Sequence, residues 1–258
     1  MKIGHRAINL GLPMTEAIRK AAELGFDGIT LMVRENWVEF DKVAEDGGKE
    51  IWDQVNGHGL EISALTGGFG SFSDPEKGDA ARDRAKMCVE SAAAMGIHLL
   101  TSHIGAVPED LEGDQARAMR DRMAEVCQLA AEREVVIGVE TGPEEAWLLR
   151  DFIGALGSEQ LKVNYDPANL LMLGFDHVQG VYDLAPYIVH THAKDGIRLP
   201  DGTHKQTPLG EGDVDIGRWV GQLREIGYDG WLCIERESGE DRLGDAQRGL
   251  ALLRGLIQ

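Results

Sequence analysis

The chain has 258 residues, 33 of them glycine, and its 26 Lys and Arg against 44 Asp and Glu give a formal charge of −18. That acidity disfavours nucleic acid and anionic membranes as partners, since both are recognised largely through Lys and Arg. Hydrophobic residues at 43% suffice for a large core, so disorder is excluded, and about 250 residues is a length one α/β barrel can fill.

The N-terminal run Met1-Lys2-Ile3-Gly4-His5-Arg6 has no apolar h-region or small-residue cleavage site, so no signal peptide is read there. Lys2–Ile8 then reads as a first strand and Thr15–Leu24 as the helix after it. Gly28–Met32 is the second strand. The acidic interval Glu35–Gly59 predicts a loop and then a helix around Lys49–Asn56. Glu61–Leu65 with Glu76–Met95, and His98–Ile104 with Asp114–Glu132, form the third and fourth strand–helix pairs. Val135–Glu140 and Glu144–Leu156 form the fifth. Leu161–Asp166 is followed by a short, Gly-interrupted helix at His177–Leu184. Tyr187–His192 leads through the long connection Ala193–Asp213 to a helix at Ile216–Ile226, and Trp231–Glu235 with Leu243–Ile257 closes the series.

Helix ends carry their own punctuation. Leu24-Gly25-Phe26-Asp27-Gly28 is echoed by Ile226-Gly227-Tyr228-Asp229-Gly230, each reading as a helix closing on a left-handed glycine with an aromatic packed back on the last turn. A strand follows at once, which is the αβ loop of a parallel sheet. Eight such units at ~30 residues each predict a (β/α)8 TIM barrel, one domain spanning residues 1–258. A doubly wound open sheet is disfavoured because Ile8-Asn9-Leu10-Gly11-Leu12-Pro13 lacks the G-x-G-x-x-G turn. No stretch of ~18 apolar residues is present, so no membrane span is expected. Cys88, Cys127 and Cys233 are odd in number and far apart, which reads as buried free thiols in a reducing cytoplasm.

In a barrel the reactive groups sit at the C-terminal ends of strands. The fifth to eighth strands end at Glu140, Asp166, His192 and Glu235, one metal-competent side chain each. A single terminal carboxylate often only caps the next helix. Four consecutive ones are different. Three unpaired carboxylates converging on a dry rim repel one another unless a cation lies between them. Three oxygens and one imidazole suit Mn²⁺ or Mg²⁺, with Co²⁺ or Zn²⁺ also compatible. Strand parity puts His190 and His192 on the same face, and His192 lies nearer the rim. His103 reads equally as a substrate contact or a satisfied core histidine, and His5 is a weaker candidate. In the connection after the seventh strand, Lys194 is closest to the rim. Arg198, His204 and Lys205 read as solvated. Arg236 faces away from Glu235, into a salt bridge behind the rim. Gly67-Gly68-Phe69-Gly70 reads as a turn, with a flexible loop placing Phe69 or Phe72 over a substrate as the alternative, and Trp37 could form an apolar wall.

Val139-Glu140, Tyr165-Asp166-Pro167, His190-Thr191-His192-Ala193-Lys194-Asp195, Gly210-Glu211-Gly212-Asp213-Val214-Asp215 and Ile234-Glu235 together resemble the xylose-isomerase-like TIM-barrel superfamily. More narrowly they resemble its sugar isomerase/epimerase branch, which includes ketose 3-epimerases and inosose isomerases. The resemblance spans the chain. It implies Glu140, Asp166, His192 and Glu235 as ligands of one divalent metal, with Glu140 and Glu235 as the acid/base pair. Where some members have a histidine three residues after the aspartate, this chain has Asn169, which could hydrogen-bond a substrate hydroxyl without titrating. The further ligands by which the superfamily's DNA-repair endonucleases hold a zinc cluster are not found here.

The implied activity is proton abstraction α to a carbonyl through a metal-stabilised enediolate, on a ketose, keto-sugar or cyclitol. Returning the proton to the opposite face gives epimerisation, and to the adjacent carbon, isomerisation. Loss of a β-hydroxyl gives a dehydratase. An endonuclease-type hydrolase and a non-catalytic sugar-binding barrel stand as lesser alternatives. A homo-oligomer is compatible with all of these.

Overall fold

The computed structural model describes residues 1–258 and contains ten strands and ten helices. β1 (Lys2–Arg6), β2 (Gly28–Met32), β3 (Glu61–Thr66), β4 (Leu99–Ser102), β5 (Val136–Glu140), β6 (Leu161–Tyr165), β7 (Ile188–Ala193) and β10 (Trp231–Ile234) close into one parallel barrel in the order β1-β10-β7-β6-β5-β4-β3-β2. β8 (Asp195–Arg198) and β9 (His204–Thr207) form a separate antiparallel hairpin above the rim. The barrel helices are α1 (Met14–Leu24), α4 (Gly78–Ala94), α5 (Asp114–Glu132), α6 (Ala146–Leu156), α9 (Ile216–Glu225) and α10 (Arg242–Ile257). Shorter helices fill the connections: α2 (Phe40–Asp46), α3 (Lys49–Gly57), α7 (Pro167–Leu173) and α8 (His177–Asp183).

Apolar periodicity explains how the helices sit. α1 buries Ala17, Ile18 and Ala21, and α9 buries Ile216, Trp219, Val220 and Leu223, the spacing of one helical face. Fully burying a Leu- or Ile-sized side chain contributes roughly 1.5–3 kcal/mol, so these stripes hold the outer ring on the sheet. The buried hydrophobics form a single cluster running from Ile3 to Leu253. The glycine stops behave as read. Gly25 lies at φ 92° with Phe26 N–H donating to the Ala21 carbonyl at 3.1 Å, and Gly227 at φ 77° with Tyr228 N–H donating to Leu223 at 2.9 Å. The three cysteines are free and buried, and burial pushes the Cys88 and Cys233 thiols up to about 12.

The structure corrects four expectations. The acidic stretch before Lys49 is not all loop, because Phe40–Asp46 is helical. It buries only Val43, so no apolar stripe announced it. Pro167–Leu173 is also a helix, capped by the Asp166 side chain accepting from Asn169 N–H, with Pro at its first position and Gly174 beyond its end. The connection Ala193–Asp213 is ordered by the β8–β9 hairpin, which turns at Pro200-Asp201-Gly202. Finally, β1 stops at Arg6 and a 3₁₀ turn takes Ala7–Leu10, while β4 covers only Leu99–Ser102 of the longer predicted strand. No helix is long and apolar enough to cross a membrane.

Candidate metal centre and active site

Parallel register brings the ends of β5, β6, β7 and β10 side by side, as in the pairing of Cys233 with His192 and of Asn164 with His190. Glu140, Asp166, His192 and Glu235 therefore converge, each offering a ligand atom within 4.8 Å of all the others. All four are buried. The His192 Nδ1 atom faces the centre, 3.3 Å from Glu140 Oε1, 3.5 Å from Glu235 Oε2 and 3.9 Å from Asp166 Oδ2. Behind the ring, the Asn164 amide bridges His192 Nε2 at 3.2 Å and His190 Nδ1 at 2.9 Å. His190 is thus a fully buried interior residue, and burial pushes its imidazole down to about 3.

Each carboxylate is held differently. Glu140 receives Asn169 Nδ2 at 2.9 Å, His103 Nε2 lies 3.4 Å away, and these contacts, like that of His192, fall on Oε1. Asp166 is braced by Thr141, whose hydroxyl donates to its carbonyl at 2.9 Å and accepts from its N–H at 2.8 Å. Its Oδ1 caps α7, while the buried Oδ2 has no hydrogen-bond partner. Glu235 is gripped on both oxygens, by Arg6 Nη1 at 2.5 Å and by Lys194 Nζ at 2.7 Å.

Electrostatics follow from this packing. Burial works to raise the Glu235 carboxyl, but His192 and Lys194 outweigh it and bring it down to about 2. Burial likewise opposes ionisation of Glu140, yet His192 and His103 hold it well below the usual carboxylate range. Burial dominates at Asp166, partly offset by Lys194, and raises it to about 7. At His192 burial is overcome by Glu235 and Glu140, which lift the imidazole to about 9. Lys194 is buried too, and Glu235 and Asp166 override its burial to keep it charged.

An orphaned buried oxygen on Asp166, three carboxylates and an inward imidazole nitrogen make a donor set that fits a divalent cation. Of the sequence candidates, His103, Asn169 and Lys194 all reach this cluster. His103 stays half exposed, while Asn169 and Lys194 are tied to its carboxylates. Arg198, His204 and Lys205 are exposed, and Arg236 donates to Asp245 at 2.9 Å behind the rim, as expected. His5 is an interior residue packed edge-on against Phe26. The Gly67–Gly70 turn is pinned rather than flexible: Ser102 Oγ accepts from Gly68 and Phe69 N–H, and Arg84 donates to the Gly68 carbonyl. Phe69 and Phe72 are buried against each other. Trp37 lines a different cavity of about 420 Å³ that contains none of the four cluster residues. Arg6, Glu237, Gln206 and Thr141 escaped sequence reasoning. Arg6 ends the first strand and Glu237 lies two residues past Glu235, so strand-end position and parity were signals available for both.

Fold and site together define a (β/α)8 barrel with a buried carboxylate–imidazole cluster at its C-terminal rim. The chain belongs to the xylose isomerase-like TIM barrel family, whose model matches residues 18–256. An uncharacterized protein of Methanocaldococcus jannaschii is 24% identical over 166 residues, which is 59% of this chain and 55% of that one, so the match spans about half of the relative. Among solved structures, a xylose isomerase domain protein from Planctomyces limnophilus superimposes with TM-score 0.85 at 22% identity, over 98% of this chain and 95% of that one. A D-tagatose 3-epimerase-like protein gives 0.79 at 20% over 100% and 98%. A probable 3-DHS dehydratase from Bacillus anthracis gives 0.79 at 19% over 98% and 99%. The Mycobacterium smegmatis neighbour was crystallised with magnesium and the IOLI protein with zinc, at TM-scores of 0.75 and 0.82. At these identities the structural neighbours establish a shared fold.

Proposed function

We propose that this protein is a divalent-metal-dependent isomerase or epimerase that removes the proton α to the carbonyl of a ketose, keto-sugar or cyclitol. The observation that carries the reading is the pair of glutamates in one buried cluster, Glu140 held on one oxygen and Glu235 on both. Glu140, Asp166, His192 and Glu235 would hold the ion, and their oxygen-rich set favours Mn²⁺ or Mg²⁺. When bound, the ion supplies Lewis-acid charge against which negative charge on a substrate oxygen can develop.

The chain's own residues do the rest. Asn169 fixes Glu140 through Oε1, leaving Oε2 to accept the substrate proton. Arg6 and Lys194 lock Glu235 by gripping one oxygen each. Inversion would need a second proton, taken up by Glu235 from solvent and delivered to the opposite face, while the abstracted proton leaves Glu140 to solvent. His103, half exposed beside Glu140, would contact a substrate hydroxyl. The dehydratase among the structural neighbours supports a second reading, in which the same abstraction ends in loss of a β-hydroxyl. Product analysis by NMR on a panel of ketoses and inososes, with and without Mn²⁺, separates them. An epimer or isomer formed only with metal supports the first reading, an unsaturated product the second, and conversion independent of metal contradicts both.

A further inference from the structure

Glu237 lies on the segment after β10 and, unlike the four buried cluster residues, keeps its side chain 47% exposed. Its Oε1 is 3.3 Å from Arg6 Nη1, and its Oε2 accepts from Lys194 Nζ at 3.2 Å and from Gln206 Nε2 at 2.7 Å. Its N–H donates to Gln206 Oε1 at 3.0 Å, so β9 grips both its main chain and its carboxylate. It lines a cavity of about 90 Å³ with Arg6, Phe69, His103 and Glu140. Arg6 and Lys194 are the same two cations that hold Glu235.

Without Glu237, Arg6 at this cavity and Lys194 behind it would share Glu235 as their one hydrogen-bonded carboxylate, an excess of guanidinium and ammonium that recognises phosphate or carboxylate. With it, both are already paired. A substrate anion reaching for either cation would have to sit against the Glu237 carboxylate.

We propose that Glu237 determines substrate charge: by occupying Arg6 and Lys194 it makes the site select an uncharged polyol and reject phosphorylated or carboxylated ones. The inference rests on the reading of this rim as a sugar site and names the substrate class within it. Isothermal titration of the metal-free protein with inorganic phosphate tests it without turnover. Wild type should bind phosphate only weakly, Glu237→Gln at least about tenfold more tightly, and Glu237→Gln with Lys194→Met should lose that gain. Phosphate binding by wild type as tight as by a folded Glu237→Gln variant would overturn the proposal, as would no gain in that variant. The wild-type titration stands even if a variant fails to fold, since tight phosphate binding there is already fatal. Absence of α-proton exchange would instead sink the isomerase reading and leave the titration interpretable.

Discussion

Asn169 donates a hydrogen bond from Nδ2 to Oε1 of Glu140 at 2.9 Å, and its own Oδ1 accepts from Lys194 Nζ at 3.2 Å. One amide on α7 thus sets the orientation of a proposed base on β5 and of a cation on the segment after β7. Asn169→Ala should lower kcat by about 10–100-fold with little change in KM, the scale expected when a residue that orients a ligand or base is lost. Steady-state kinetics on the substrate found in the panel measure this. An unchanged kcat would show that Glu140 needs no such support.

The donor set predicts one divalent ion per chain. Titration calorimetry with Mn²⁺ should give a stoichiometry of about one for wild type and no binding for Asp166→Asn or His192→Ala. At a free concentration a hundredfold above Kd, bound metal should add about 2.7 kcal/mol, a Tm rise of several degrees that chelator removes. Binding undiminished in either variant would remove that residue from the set.

Glu144, which is not one of the four cluster residues, gives a pH dependence of its own. Burial raises its carboxyl to about 7, opposed by the Val107 N–H that donates to Oε2 at 3.2 Å. A folded pKa above the unfolded one means the stabilisation is complete below the unfolded value near 4.5 and is lost as pH rises through about 7. Over that window the loss is on the order of 3 kcal/mol and then levels off. Glu144→Gln should remove this component, so urea midpoints of variant and wild type should diverge between pH 5 and pH 8, with the variant favoured at pH 8. Parallel pH profiles would contradict it.

Gly28 tests the fold itself. A Cβ there would lie 2.6 Å from the Glu61 carbonyl and 2.6 Å from the Trp231 ring, so neither neighbour has room to yield cheaply. Gly28→Ala should cost about 1–3 kcal/mol by overpacking the foot of the barrel, read as a lower urea midpoint at unchanged m-value.

Most of the barrel was legible because each level of the sequence agreed. Apolar runs, amphipathic stripes and the Gly25 and Gly227 stops all mark the same boundaries. Glu140, Asp166, His192 and Glu235 were legible as a convergence because strand ends of a closed barrel share one rim. What escaped was local or non-local in kind. α2 has no stripe to read, and α7 announced itself only through Asp166 as cap and Pro167 after it, residues already spent on the strand end. The pairing of Arg6 with Glu235 and Glu237 joins β1 to the far end of the chain, and only barrel closure creates it. Lys194 was legible only as the residue of its connection closest to the rim; its burial against Glu235 and Asp166 appears only when β7 and β10 pair.

The most direct measurement is deuterium incorporation in D₂O, followed by NMR, for wild type and Glu140→Gln loaded with Mn²⁺ across the ketose and inosose panel. With at least one substrate, deuterium should enter the position α to the carbonyl in wild type and not in Glu140→Gln. No exchange with any member of the panel, or exchange undiminished in the variant, would contradict the account.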